Sequence, residues 1–304
     1  MSKFCISVYT KAFLLVLFPL LLLQTGCGSP EDRGPTKPRF VVSIPPLGAI
    51  LRPVVGARAE VEVLLSGAAS PHTHEARPTQ VRAAAGATAV FYGAPELDGW
   101  AMEHAGERSI ALLDLVPDSL QRPLYGDIQP TPEAVIGTDP HFWMDPLAVR
   151  GLLPTLVERL CLLDEAGCIE YRAGAARFSA QLDSVDRVLQ NDLRPLQGRT
   201  LILDHQFMAY FLARYGLQLA AVIEPMPGKE PSPRDLLKVI RMGKEAGVVG
   251  VVTLPQLPPR AAKIVAEGLG LQTFELDPVG GVEGRMSYID LLLYNARVLR
   301  EALL

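Results

Sequence analysis

The chain has 304 residues, 49% of them hydrophobic and 20% charged, with a formal net charge of −4. A mildly acidic chain without a basic run carries no electrostatic footprint for nucleic acid. Aromatic residues make up only 7%, which argues against the aromatic-rich cleft of a sugar or siderophore receptor.

The first element in chain order is a targeting segment. Lys3 and Lys11 precede an apolar run, Ala12 to Leu23, that ends in Gln24-Thr-Gly-Cys27. As a helix that run spans about 18 Å, short of the ~30 Å of a bilayer core. Residues 1–26 therefore read as a signal peptide and not as a membrane span. Gly26 before Cys27 resembles a lipoprotein cleavage site, so Cys27 is the expected lipidation point and membrane anchor. Residues 27–38, polar and rich in Pro and Gly, form a flexible tether. The expected location is extracytoplasmic, either the periplasm or the outer face of the cell membrane.

Short apolar runs then alternate with helical stretches. Strands are predicted at Phe40 to Ile44, Val61 to Leu65, Ala89 to Tyr92 and Ile110 to Asp114, with helices near Leu47 to Val55, Pro78 to Ala85 and Leu97 to Ala105. A second series begins at Thr200, with strands at Leu201 to Leu203, Leu217 to Val222, Val248 to Thr253 and Leu271 to Leu276. Such βαβ series build mostly parallel sheets flanked by helices. Between them Tyr171, Phe178, Leu182, Val185, Leu189 and Leu193 recur at helical spacing, which predicts one long helix. The expected architecture is α/β with two lobes: an N-terminal lobe at 39–165, a linking helix at 166–197 and a C-terminal lobe at 198–304. Each lobe is long enough to hold its own core, and a helical link predicts small lobe motions.

After export and cleavage Cys161 and Cys168 are the cysteines left besides Cys27. On one helix they would lie too far apart for a disulfide, but Gly167 permits a turn between them. The alternative is a pair of small buried apolar residues.

The five histidines carry the chemical signal. His72 lies in the loop after the strand ending at Leu65, His205 follows the strand Leu201 to Leu203, and Asp277 follows the strand ending at Leu276. In open α/β sheets ligands bind beyond the carboxyl ends of strands. His141 precedes a helix beginning near Pro146, so each lobe offers two candidates and the crevice between lobes is where they could meet. Three imidazoles and one carboxylate suit four-coordinate Zn²⁺. Protons compete for the same nitrogens, with an unperturbed pKa of about 6.5. His104 reads as a solvent-facing helix residue. Asp204 reads as a support for His205 or as ordinary strand-end capping.

The segments around these positions resemble the zinc and manganese cluster of substrate-binding proteins that serve ABC importers. The resemblance rests on Ser43-Ile-Pro-Pro46, Gly67-Ala-Ala-Ser-Pro-His72, Asp139-Pro-His-Phe-Trp143, His205-Gln-Phe-Met-Ala-Tyr-Phe211 and Arg214-Tyr-Gly-Leu217. It continues through Glu230-Pro-Ser-Pro233, Pro255-Gln256, Leu276-Asp-Pro278 and Tyr288-Ile-Asp-Leu291, and covers residues 40 to 304. It implies His72, His141, His205 and Asp277 as metal ligands, Zn²⁺ with Mn²⁺ as the alternative cargo, a membrane permease as partner, and a monomer. The His-rich loop of zinc-specific members is missing, since Glu107 to Pro140 contains no histidine. Manganese members often place a carboxylate where His205 stands, and nitrogen there favours zinc. Two other classes compete with this reading: a metal-dependent hydrolase using the His72-Thr-His74 pair, and a surface adhesin. A closed four-ligand site leaves no open position for hydrolysis, and no residue pattern points to an adhesin.

Overall fold

The structure is a computed structural model that describes residues 37–304 apart from His104. The expected signal peptide, the Cys27 anchor, most of the tether and the solvent-facing reading of His104 lie outside the described residues. No helix among those described is long and apolar enough to cross a membrane.

The first series forms a four-stranded parallel sheet in the order β2-β1-β3-β4, from β1 (Arg39–Val42), β2 (Glu60–Val63), β3 (Ala89–Tyr92) and β4 (Ser109–Ala111). Its connections carry α1 (Pro45–Val55), α2 (Pro78–Ala85) and the short α3 (Pro95–Asp98). The helix expected to run to Ala105 stops at Asp98, because that side chain turns back to accept the amides of Gly93 and Ala94, and a 3-10 turn follows. A two-stranded antiparallel hairpin, β5 (Pro123–Tyr125) with β6 (Val135–Thr138), was not expected. Its strands are short and its loop carries Pro130 and Pro132, so no alternating apolar pattern marks it.

Next come α4 (Pro146–Leu163) and the predicted long helix, the 26-residue α5 (Cys168–Leu193), with a 3-10 turn at each end. The turn Glu165–Gly167 folds α5 back on α4, and Cys161 and Cys168 close it with a disulfide, their Cα atoms 4.8 Å apart. The second series mirrors the first as a parallel sheet in the order β10-β9-β7-β8, from β7 (Thr200–Leu203), β8 (Gln218–Val222), β9 (Gly250–Thr253) and β10 (Thr273–Glu275). Around it lie α6 (Ala209–Tyr215), α7 (Pro233–Glu245), α8 (Arg260–Leu269) and α9 (Tyr288–Leu303).

Side chains on a strand alternate between faces, and that alternation divides the core. Phe40, Val42, Leu201 and Leu203 point inward into one continuous apolar cluster that includes α1, α4, α5, α6 and α9 and joins both sheets. Val41 and Ile202 point outward into two smaller clusters, one beneath each sheet's outer helices. The two sheets thus share one inner core, although each series is long enough to hold its own. The long helix is the reason: α5 packs on α1, α4 and α9 at once. At Gly174 a Cβ would stand 2.1 Å from the Val54 carbonyl oxygen, so α5 and α1 touch backbone to backbone.

Candidate metal centre

Parallel strands aim their carboxyl ends in one direction, and here the loops at those ends face one another. His205 leaves β7 with its ring fully enclosed. Its Nδ1 lies 3.1 Å from the Glu224 carbonyl. A carbonyl only accepts, so Nδ1 carries the proton and Nε2 presents a lone pair. That Nε2 is buried without a hydrogen-bond partner. A buried polar atom left unpaired is costly and asks for a ligand.

His141 sits between the hairpin and α4, just before the 3-10 turn Phe142–Met144. Asp139 Oδ1 accepts from both its backbone amide (3.0 Å) and its Nδ1 (2.7 Å), which fixes the tautomer and turns Nε2 outward. Gln206, beside His205, donates to the other oxygen of Asp139 at 3.1 Å and to the Pro123 carbonyl at 2.7 Å. The second sheet thereby holds the first sheet's ligand in place. His72 completes the group from the loop after β2. Its Nε2 lies 3.4 Å from His141 Nε2. Two nitrogens bound tetrahedrally to one zinc stand about 3.3 Å apart, so the spacing fits.

The ligand atoms of His72, His141 and His205 all lie within 4.8 Å of one another. They face a chamber of about 20 Å³, walled by Trp143, Phe207, Leu254 and Val279. That volume takes one ion or one water and no organic ligand. A groove of about 820 Å³ lies elsewhere, between α4 and α5, without metal-ligating clusters. Burial, then the neighbouring His141, pushes the His72 imidazole down to about 3. Burial, then His72 and His141, holds His205 well below its ordinary value. Both rings are neutral at pH 7, the state a metal requires.

Asp277 is placed beyond β10 as the sequence indicated, but its carboxylate is not brought into the histidine group. Oδ1 accepts from the amides of Val279 (2.9 Å) and Gly280 (3.1 Å) and from Gln256 Nε2 (3.3 Å). Oδ2 pairs with Arg285 at 3.3 Å. His74 also stays out: its Nε2 meets Gln80 at 3.0 Å and its ring packs edge-on against Trp100. The His72-Thr-His74 pair therefore does not form a joint site. Asp204 is buried, one carboxylate oxygen has no partner, and no hydrogen bond links it to His205 among the described residues. Burial, then Glu224, pushes its carboxyl up to about 7. Sequence reasoning gave no role to Asp139, Gln206, Gln256 or Arg285. The first two adjoin ligands in the quoted motifs, and that adjacency was the available signal.

Several bonds close the chamber across the two sheets. Trp143 Nε1 donates to the Pro278 carbonyl at 2.7 Å, and Tyr288 donates to the Trp143 carbonyl at 2.5 Å. Gln256 donates to the Gly67 carbonyl at 2.8 Å. Gly67 itself abuts Gly280 so closely that a Cβ would stand 1.8 Å from the Gly280 oxygen, and Gly280 reaches that point through a positive φ of 61°. Gly67→Ala must push the His72 loop off the Asp277 loop. The expected result is a loss of about 1–3 kcal/mol of stability and at least about tenfold weaker metal binding, since ligands displaced from the geometry zinc prefers bind poorly. Thermal melts and a zinc competition titration measure both.

The family model described as zinc-uptake complex component A, periplasmic, matches residues 40–302. A high-affinity zinc uptake system protein ZnuA from Paracoccus denitrificans is 28% identical over 300 residues, covering 88% of this chain and 92% of that protein. A manganese-binding lipoprotein MntA from Halalkalibacterium halodurans is 23% identical over 306 residues, covering 97% of each. Among solved structures, a crystal structure of ZnuA is similar at 28% identity with a TM-score of 0.73, covering 88% of this chain and 99% of that one.

Proposed function

Given that the chain belongs to the family of periplasmic zinc-uptake complex component A, we propose that it captures one Zn²⁺ between its two sheets and passes it to the membrane permease of an ABC importer. The carrying observation is the convergence of three imidazoles, two of whose far nitrogens are already committed. Asp139 and the Glu224 carbonyl fix His141 and His205 with their Nε2 atoms turned outward. Little side-chain ordering remains to be done when the ion arrives, and preorganisation of this kind raises affinity. His72, His141 and His205 are the nitrogen donors of this reading. Asp277 is a donor held in reserve, paired with Arg285. The carboxylate–histidine arrangement of Asp139 and His141 strengthens that imidazole as a ligand.

The ion is cargo and the protein no catalyst. His74, which a hydrolase reading would pair with His72, is bound to Gln80 and Trp100 instead. The family is a transport family. Anchoring through a lipid on Cys27, with the monomer working in the periplasm or at the outer face of the cell membrane, completes the proposal. The relative named as a manganese-binding lipoprotein supports the anchor and keeps Mn²⁺ as the second candidate cargo.

Elemental analysis of protein purified without added metal, followed by zinc titration against a chromophoric chelator, tests this reading. One tight equivalent per chain is expected, because the described residues hold one cluster of three metal-ligating side chains. Two tight equivalents, or none, would overturn it.

A further inference from the structure

We propose that Arg285 is a specificity-determining residue: by pairing with Asp277 it keeps a carboxylate out of the metal's coordination and so biases the site toward zinc over manganese. The inference deepens the proposed function and rests on it.

Asp277 is fixed at both its backbone and its side chain. Its backbone is clamped to α9 by Asn295, which accepts its amide at 2.8 Å and donates to its carbonyl at 2.7 Å. Oδ1 is the acceptor that organises the turn after β10, with the amides of Val279 and Gly280 and the Gln256 side chain directed at it. Giving up Oδ1 would leave two buried amides unpaired, at roughly 1–3 kcal/mol each. Oδ2 is the oxygen free to bind a metal, and the Arg285 guanidinium stands 3.3 Å from it.

Arg285 is itself held. Its guanidinium carbon lies 4.2 Å from the Tyr294 ring centroid, a cation–π contact from α9. Its backbone closes a turn, accepting from Gly281 at 3.0 Å and donating to Val282 at 2.9 Å. The cation therefore belongs to a built loop and faces an anion that is only 3% exposed.

The consequence is a matter of donor chemistry. Three neutral imidazoles satisfy Zn²⁺ well, whereas the harder Mn²⁺ depends on carboxylate oxygen. With Asp277 engaged by Arg285, the ion meets a neutral nitrogen set. If the guanidinium is removed, Oδ2 is released within the loop that supplies Pro278 and Val279 to the chamber wall.

The test measures Zn²⁺ and Mn²⁺ affinities of the full chain and four variants by competition titration, with Co²⁺ absorption spectra as an independent view of the ligand set. Arg285→Met, whose stem can still cover Tyr294, should raise Mn²⁺ affinity about tenfold or more and Zn²⁺ affinity by a smaller factor. Its Co²⁺ spectrum should shift as an oxygen donor enters. Arg285→Lys keeps the charge and should behave as the unaltered chain. Asp277→Asn, which retains the Oδ1 acceptor, should change Zn²⁺ affinity less than about threefold, well under the loss expected for a true ligand. Arg285→Met with Asp277→Asn should cancel the Mn²⁺ gain and the spectral shift. Melting curves separate misfolding from altered binding, and the Lys variant carries the comparison if the Met variant does not fold: an altered metal preference in Arg285→Lys would then overturn the proposal, and an unaltered one would support it. A tenfold Zn²⁺ loss in Asp277→Asn alone, or an unchanged Mn²⁺ affinity in folded Arg285→Met, overturns it. Those results would leave the zinc-capture reading standing, which falls only if the histidines prove dispensable.

Discussion

His205→Ala is expected to lower zinc affinity by about three orders of magnitude or more, beyond the 10–100-fold typical of changes to residues that merely support a ligand. The same variant should melt, without metal, within a few degrees of the unaltered protein. These two outcomes belong together because His205 Nε2 is buried without a hydrogen-bond partner in the histidine cluster. Removing an orphaned nitrogen relieves a desolvation cost while it opens a small cavity, and the two effects oppose. Asp139→Asn is the instructive partner. It keeps the shape of the side chain but no longer dictates which His141 nitrogen carries the proton, and the expected loss is about 10–100-fold. Competition titration and thermal melts of the metal-free proteins measure all three quantities. If His205→Ala bound zinc as the unaltered chain does, the cluster would not be the binding site.

The second large effect is on pH dependence. In the unfolded chain His72 and His205 titrate near pKa 6.5, while in the folded chain His72 is pushed down to about 3 and His205 also lies well below its ordinary value. Between those limits the unfolded state binds protons that the folded state refuses. The stability these rings contribute is therefore present above pH 6.5 and lost as pH falls toward 3. The slope is up to about 1.4 kcal/mol per pH unit for each ring. Zinc retention follows the same logic in the opposite sense. Ordinary histidines would surrender the ion as pH dropped below neutrality, but rings that already refuse protons hold it further into acid. Metal-free melts at pH 7.5 and 5.5 should show the falling stability, while zinc affinity should weaken by less than about tenfold over the same interval, since rings with depressed pKa values give protons little hold there. A fall of a hundredfold or more would mean that the rings titrate as exposed histidines do.

The strands β1, β3 and β7 were legible because buried parallel strands are continuous apolar runs, such as Phe40-Val-Val42 and Leu201-Ile-Leu203, bounded by polar residues. The long helix was legible through its spaced apolar positions, all of which are buried. The hairpin at β5 and β6 escaped because its side chains are half-buried in one strand and mostly exposed in the other, which leaves no alternating pattern. The disulfide could only be left open, since whether Cys161 and Cys168 meet depends on the turn at Glu165–Gly167. The placement of His72 and His205 follows from strand ends that a βαβ reading supplies, whereas His141 follows the unexpected hairpin and is placed only by its position before α4. The orientation of the Asp277 carboxylate does not follow from strand ends, because it is held by the Val279 and Gly280 amides, Gln256 and Arg285, most of them in a glycine-rich loop that bears no periodic signal. Hydrogen bonds such as Gln206 to Asp139 join positions 67 residues apart and have no trace in local sequence.

The single inner core has a consequence for how the molecule is made. Its members run from Phe40 in the first strand to Leu299 in the last helix, and α9 packs on both α1 and α5. A chain synthesised from its amino terminus cannot bury the exposed sides of α1 and α5 until its final residues have emerged. Until then the first sheet is an incomplete object with an apolar face open to water, and a stable half-molecule is not among its options. In a family that works outside the cytoplasm, this couples closure of the apolar interior to the arrival of α9 rather than to completion of either sheet.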